Sequence, residues 1–365
     1  MKYKALWLRD DGYLEVLDQR YLPFKESTVV IKNTKECIKA IKDMTVRGAG
    51  VIGNTAAFGV YLAAKECNGD IKELEKKAKS IRESRPTAVN LMWAVDRMMQ
   101  KAKECDTFSR EEVLKKEAVK ICDEDVKRSE NIAKFGADLF ENIMRKKGIK
   151  KLNILTHCNA GYLAIIDKGT ALAPIYELKN RGIDIHVWVD ETRPRNQGAN
   201  LTAWELSKEK IPHTVIADNT GGLLMQKGMV DVCITGADRV SRRGDAANKI
   251  GTYLKALAAK ENNIPFYIAL PASTFDFEII DGIKEIPIEI RDENEVKFIR
   301  GVDKRGDLKE IRIVLDNSPA LNYGFDVTPA KLITGLITER GICKADQKEI
   351  EEMFEDLCSK REIFK

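Results

Sequence analysis

The chain has 365 residues, 44% hydrophobic and 32% charged, with 61 Lys plus Arg against 57 Asp plus Glu and a formal net charge of +4. Apolar content at that level excludes a disordered chain, and no apolar run reaches the roughly 18 uncharged residues that a membrane span needs. A surplus of +4 over so large a surface gives no bulk electrostatic case for nucleic acid.

The opening MKYKALWLRD meets Arg9, Asp10 and Asp11 where a secretory signal would continue its apolar segment, so a cytoplasmic protein is expected. Residues 1–33 read as extended segments about an Asp11-Gly12 turn, closing with the β-branched run STVVIK, and predict a small sheet. From Thr34 to about Lys147 the apolar residues recur at helical spacing between Lys and Glu, which predicts a mostly helical domain, 1–147. Beyond Gly148 five short apolar runs alternate with helical stretches: LNILTHCN, IDIHVWVDE, HTVIADN, VDVCITGAD and PFYIALP. Near-continuous apolar strands separated by helices are what a parallel sheet covered on both faces requires. The fold class is therefore α/β, with a helical N-terminal domain carrying a small sheet and a doubly wound, Rossmann-like domain over 148–365.

Ligands of open α/β sheets lie beyond the carboxyl ends of the strands. There the chain places His157, Cys158 and Asn159; Asp190, Glu191, Arg193 and Gln197; Asp218 and Asn219; and Asp238 with Arg239. One Asp or Asn after a strand is ordinarily a helix cap, but four such groups on one rim predict a cleft. Cys158 precedes Asn159-Ala160-Gly161, which reads as a helix start whose amides would favour a thiolate. His157 reads as a hydrogen-bonded supporting residue. A Cys-His hydrolase stays open at this point, because spacing does not say which imidazole reaches the sulfur. The eight cysteines show no CxxC pair and no zinc-ligand spacing, so no metal is expected, and seven of them read as small buried residues of a reducing compartment.

Two loops read as anion sites. RVSRRGDAANKIGTY carries Gly244, and its Asn248 and Lys249 are expected to open the next helix, a phosphate cradle without a Walker motif. VRGAGVIGNTAAFG places Arg47, Gly48 and Ala49 at a helix start, with close helix packing as the competing reading of its small residues. Its GxGxxG-like spacing follows a helical stretch, not a strand, which excludes a dinucleotide site. Arg85 precedes Pro86-Thr87-Ala88-Val89-Asn90, a capped helix start.

Taken together, TVRGAGVIG, SRPTAVNL, LTHCNAG, DETRPRNQGANLTAWEL, GADR with GDAANKIGTY, and FDVTPAKLITGLITERG resemble the methylthioribose-1-phosphate isomerases, from near the N-terminus to about residue 342. The wider superfamily holds ribose-1,5-bisphosphate isomerases and regulatory subunits of a translation-initiation exchange factor. The resemblance implies an aldose–ketose isomerase of methionine salvage, acting on a 5-substituted ribose 1-phosphate as a homodimer with no cofactor. It implies Cys158 and Asp238 as the catalytic pair. It implies Arg47, Gly48, Ala49, Arg85, Gln197, Asn248 and Lys249 as substrate-binding residues. Asp238 would then work as an acid kept protonated by apolar surroundings. Gly50-Val51, Arg242-Arg243 and the long NSPALNYGFDVTP depart from the family pattern. They bear on the 5-substituent: methylthio, deoxy or a second phosphate, with Arg242 and Arg243 expected to be solvent-exposed.

Overall fold

The N-terminal extended segments pair as their alternation predicts. In the computed structural model, which describes residues 5–85 and 89–362, β1 (Leu6–Leu8), β2 (Leu14–Leu17) and β3 (Thr28–Ile31) form an antiparallel sheet. Gly12, at φ +81°, makes the turn between the first two. Five helices follow: α1 (Thr34–Lys42), α2 (Ala49–Glu66), α3 (Ile71–Arg82), α4 (Val89–Lys103) and α5 (Arg110–Lys147). Asn33 and Asp70 accept the amides of Glu36 and Glu73, which caps α1 and α3 where the sequence turns helical. Buried on every side from Gly50 to Ala64, α2 is the centre of this bundle. Pro86, Thr87 and Ala88 of the expected cap before α4 lie outside the described residues.

Compactness divides the chain into Met1–Glu130 with Ala160–Leu172, and Asn131–Asn159 with Ala173–Lys365. The boundary expected from the sequence, Lys147, is the last residue of α5. Compactness cuts inside that helix and returns Ala160–Leu172 to the first unit, where Ile166 is wholly buried in the helical core. There the φ of +83° at Gly48 needs glycine, and a Cβ on it would lie 2.4 Å from the Ala164 Cα.

In the second unit β4 (Lys151–Thr156), α6 (Ala173–Asn180), β5 (Asp184–Asp190), α7 (Ala203–Lys208), β6 (His213–Ile216), α8 (Thr220–Gln226) and β7 (Val232–Thr235) come first. Next are β8 (Arg239–Ser241), β9 (Ala246–Lys249), α9 (Thr252–Glu261), β10 (Phe266–Ala269), β11 (Phe275–Asp276), α10 (Gly282–Glu285) and α11 (Asn294–Lys297). The chain ends with β12 (Phe298–Val302), β13 (Leu308–Arg312), β14 (Phe325–Thr328), β15 (Gly335–Thr338), β16 (Gly341–Cys343), α12 (Gln347–Met353) and α13 (Glu355–Glu362).

The main sheet runs β16-β15-β10-β7-β4-β5-β6. All five strands read from the sequence are in it and parallel; β15 adds a sixth parallel strand and β16 an antiparallel edge. The chain runs outward from β4 through β5 to β6, then crosses back to β7 on the other side of β4. That reversal creates a crevice beyond the carboxyl ends of β4 and β7, where open α/β sheets bind ligands. A small sheet, β11-β8-β9-β14, follows β7 directly.

This second sheet corrects one expectation. Asn248 and Lys249 do not open a helix: they end β9, paired with Asp326 and Phe325 of β14, and α9 begins three residues later at Thr252. Gly244 turns the β8–β9 hairpin at φ +91° and lies against Ala345.

Candidate active site

Cys158 stands two residues beyond β4, buried, at φ +65°. No helix begins at Asn159; Ala160–Leu172 is a run of turns, and α6 starts only at Ala173. The expected activation of the thiol by helix amides is thereby corrected. Small residues explain the difference, since Gly169 folds back so closely on Gly161 that a Cβ would lie 2.4 Å from its backbone. What holds Cys158 is a pair of hydroxyls: its N–H donates to Thr192 Oγ1 at 2.9 Å, and its carbonyl accepts from Thr202 Oγ1 at 2.7 Å.

His157 turns inward, its Nδ1 2.8 Å from Asp190 Oδ2 and its Nε2 2.9 Å from the Ile250 carbonyl. With both ring nitrogens spent, it is a supporting residue as expected. His186 is engaged with Thr214 and His213 with the Ile211 carbonyl, which leaves the hydrolase reading without support. Lys255 places its ammonium 3.2 Å from Asp190 Oδ2 and donates to the Asp218 carbonyl. Burial raises the Asp190 carboxyl against the opposing pull of His157 and Lys255. His157, Asp190 and Asp218 are close enough to suggest a metal triad. The Lys255 ammonium, however, supplies the positive charge there, and both Asp218 oxygens accept backbone amides, from Thr192 and Arg193 at 2.7 Å each.

After β5 the chain makes the unusual turn that carries Gln197. Thr192 and Asn196 take φ +68° and +55°, and Gly198–Thr202 is a single π-helical turn running into α7. Such turns recur at functional sites. Gly198 is obligatory, since a Cβ there would sit 1.7 Å from the Asp190 carbonyl oxygen. Gln197 is buried, and its Oε1 has no hydrogen-bond partner among the described residues. An orphaned buried amide oxygen is costly unless a ligand hydroxyl satisfies it.

Asp238 leaves β7 and donates its N–H to the Ala247 carbonyl at 2.9 Å, which sets it beside the β9 hairpin. It is exposed, so the expected apolar enclosure of this carboxyl is not found. Asn248 is buried and donates to Thr252 Oγ1. Lys249, 6% exposed, donates to the Gly324 carbonyl at 2.8 Å and lies 4.9 Å above the Phe325 ring. Burial pulls its ammonium below the ordinary lysine value; Cys158 and Asp238 act as opposing electrostatic neighbours, and Arg291 reinforces the lowering. Cys158, Asp238 and Lys249 are thus gathered in the crevice between β4 and β7.

The surrounding charges were not read from the sequence. Glu295 pairs with Arg291 and Arg195; burial would raise its carboxyl, yet the two guanidiniums hold it at about 2. Asp326 accepts the amides of Gly251 and Tyr253, fixing the turn after Lys249. Arg242 bonds Glu351 at 2.5 Å and is half-buried, whereas Arg243 is exposed as expected.

Arg47, Gly48, Ala49 and Arg85 lie on the first unit. Gly48 is the N-cap of α2, so the expected helix start is present. The competing reading, that Ala56, Ala57 and Gly59 form a close-packed helix interface, holds as well: both alanines are wholly buried, and a Cβ on Gly59 would lie 2.4 Å from Cys37 Sγ of α1.

Comparison with known proteins adds four findings. The model of the initiation factor 2 subunit family matches residues 45–345. A methylthioribose-1-phosphate isomerase of Sulfurimonas denitrificans is 62% identical over 96% of this chain and 98% of its own length. Among solved structures, the 5-methylthioribose 1-phosphate isomerase of Pyrococcus horikoshii superposes with TM-score 0.84 at 37% identity, covering 96% of both chains. A translation initiation factor eIF-2B delta subunit from A. fulgidus gives TM-score 0.81 at 36% identity, covering 97% of this chain and all of that one.

Proposed function

The chain belongs to the initiation factor 2 subunit family, and from that membership and its likeness to the methylthioribose-1-phosphate isomerases we infer an aldose–ketose isomerase of methionine salvage, converting 5-methylthioribose 1-phosphate to the ribulose 1-phosphate. The observation that carries this reading is the buried Lys249 ammonium, which has no carboxylate partner among the described residues and has Cys158 and Asp238 as electrostatic neighbours. A buried cation with no carboxylate in ion-pair contact among the described residues leaves room for an anionic ligand, and a phosphate on C1 supplies one.

A furanose bearing phosphate on C1 does not open by itself to a free aldehyde. The ring C1–O bond breaks as an acid protonates the ring oxygen, a role we assign to Asp238 on the GADR motif it occupies. The hydrogen on C2 then ends on C1, the proton of the C2 hydroxyl is released, and C2 becomes the carbonyl. Cys158 serves this second step, either taking the C2 proton and returning it to C1, or closing off a dry site for direct hydride transfer between the two carbons. Turnover in D2O separates the routes: proton transfer through the thiol brings deuterium to C1, and direct transfer does not.

Gln197, with its unpaired Oε1, suits a sugar hydroxyl, and Asn248 and Lys249 suit the phosphate. Arg47, Gly48, Ala49 and Arg85 are assigned to substrate binding on the motifs they occupy, TVRGAGVIG and SRPTAVNL. The eight free thiols fit a cytoplasmic protein. No helix among the described residues is long and apolar enough to cross a membrane. The homodimer is the assembly that the resemblance to the isomerases implies.

The engagement of Arg242 with Glu351 disfavours a second phosphate at C5. Arg242→Ala is therefore expected to change kcat/KM for methylthioribose 1-phosphate by less than about twofold and to leave ribose 1,5-bisphosphate the poorer substrate. The reaction itself is tested by phosphorus and proton NMR with methylthioribose 1-phosphate, 5-deoxyribose 1-phosphate and ribose 1,5-bisphosphate. Conversion of the C1 acetal CH to a phosphate-bearing CH2 is the expected result. No conversion of any of the three would favour the alternative reading, a non-enzymatic regulatory subunit of the initiation-factor-2B type.

A further inference from the structure

Eight residues other than glycine take positive φ among the described residues, and Thr192 is the one β-branched residue in that set. A β-branched side chain at +68° is strained, and such strain persists only where the surroundings over-determine it. Here they do. Asp218 grips two consecutive amides, Thr192 N–H through Oδ1 and Arg193 N–H through Oδ2, both at 2.7 Å. The Thr192 hydroxyl donates to the Asp190 carbonyl at 3.0 Å, which turns its lone pairs toward Cys158 and lets it accept that N–H at 2.9 Å. Thr202 pins the other side of the same Cα by donating to the Cys158 carbonyl, and it accepts from Asn159 Nδ2 at 3.2 Å.

We propose that Thr192 is the positioning residue for Cys158: its hydroxyl, aimed by the left-handed turn that Asp218 enforces, fixes the peptide carrying the thiol. The proposal rests on the reading of Cys158 as a reacting group. Thr192 is fully buried, with its donor given to Asp190 and its acceptor face to Cys158, so it acts through the cysteine. Glycine would take the same φ without strain but would remove the hydroxyl, which separates backbone shape from hydrogen bonding.

Three variants test it. Thr192→Ser keeps the hydroxyl, Thr192→Val keeps the branched shape without it, and Thr192→Gly relaxes the backbone. A thiol displaced by about an ångström costs on the order of 10- to 100-fold in kcat, so Val and Gly should fall by that factor with KM within about threefold, while Ser stays within about threefold of wild type. In parallel, the rate of Cys158 carbamidomethylation by iodoacetamide, followed by mass spectrometry across a pH series, should shift in the Val and Gly proteins and not in Ser. Wild-type kcat and an unchanged alkylation profile in Thr192→Val would overturn the proposal, as would losses in all three that merely track the melting temperature. Cys158→Ser, assayed alongside, keeps the two failures apart. If that variant is inactive while Thr192→Val is fully active, only the positioning role is lost; if it turns over normally, the reading of the thiol goes first and takes the positioning role with it.

Discussion

Cys158→Ser and Asp238→Asn are each expected to lower kcat by about three orders of magnitude or more while sugar-phosphate binding stays measurable. One general acid or base contributes roughly 10²–10⁴ to rate, and both residues are assigned to proton or hydrogen movement instead of to holding the phosphate. Neither change should cost much stability. Asp238 is exposed, and serine is nearly isosteric at Cys158, whose backbone hydrogen bonds with Thr192 and Thr202 do not involve the thiol. Steady-state rates beside a thermal melt and a phosphate-ester binding isotherm make the check. Near-normal turnover in either variant, with an unshifted melt, would remove that residue from the chemistry.

The second large effect is expected at Lys249. Lys249→Met should weaken substrate binding by about 100-fold or more, because a desolvated ammonium–phosphate interaction is among the strong ones and methionine offers no donor. The melting point should hold or rise, since burying an ammonium with no carboxylate in direct contact costs free energy that methionine does not. The pH dependence has opposite signs for folding and for binding. Burial lowers the folded-state value, so between it and the ordinary lysine value the unfolded chain holds the proton and the native one does not. Stability therefore gains as pH rises through that window, and the gain is lost as pH falls back through the lowered value. Phosphate binding needs the ammonium, so KM should climb with pH before an ordinary lysine would deprotonate, and this limb should vanish in Lys249→Met. A KM for Lys249→Met within twofold of wild type would remove the phosphate role.

The α/β architecture was legible because each parallel strand is a short apolar run followed at once by polar residues, as in VDVCITGAD. The rim at those strand ends followed from the same pattern, and Cys158 and Asp238 stand two and three residues beyond β4 and β7. What escaped was set by contacts distant in sequence. Lys255 sits in α9 among Lys and Ala and looks like an ordinary surface lysine, yet it is 4% exposed and paired with Asp190. The hairpin that ends in Lys249 has a three-residue strand and a four-residue one around an Arg-Arg turn, too short for alternation to show. GLIT, the run that becomes β15, lies inside the motif FDVTPAKLITGLITERG and, at four residues, is too short for its apolar pattern alone to mark a strand. Asn159-Ala160-Gly161 has the composition of a helix cap, and only the close approach of Gly169 to Gly161 shows why the chain turns instead.

That same stretch bears on how the protein is made. The core of the first unit includes Ile166, and Gly48 at the head of α2 is shaped to receive Ala164. A nascent chain that has emerged only to Lys147 has every helix of this unit but not the piece that closes it. The ribosome must release a strand of the other unit, β4, before the first can finish folding, so the two cannot mature strictly in order of synthesis. A fragment cut at the end of α5 would leave the glycine-lined start of α2 uncovered, and a boundary chosen for expressing this half by itself belongs after Leu172.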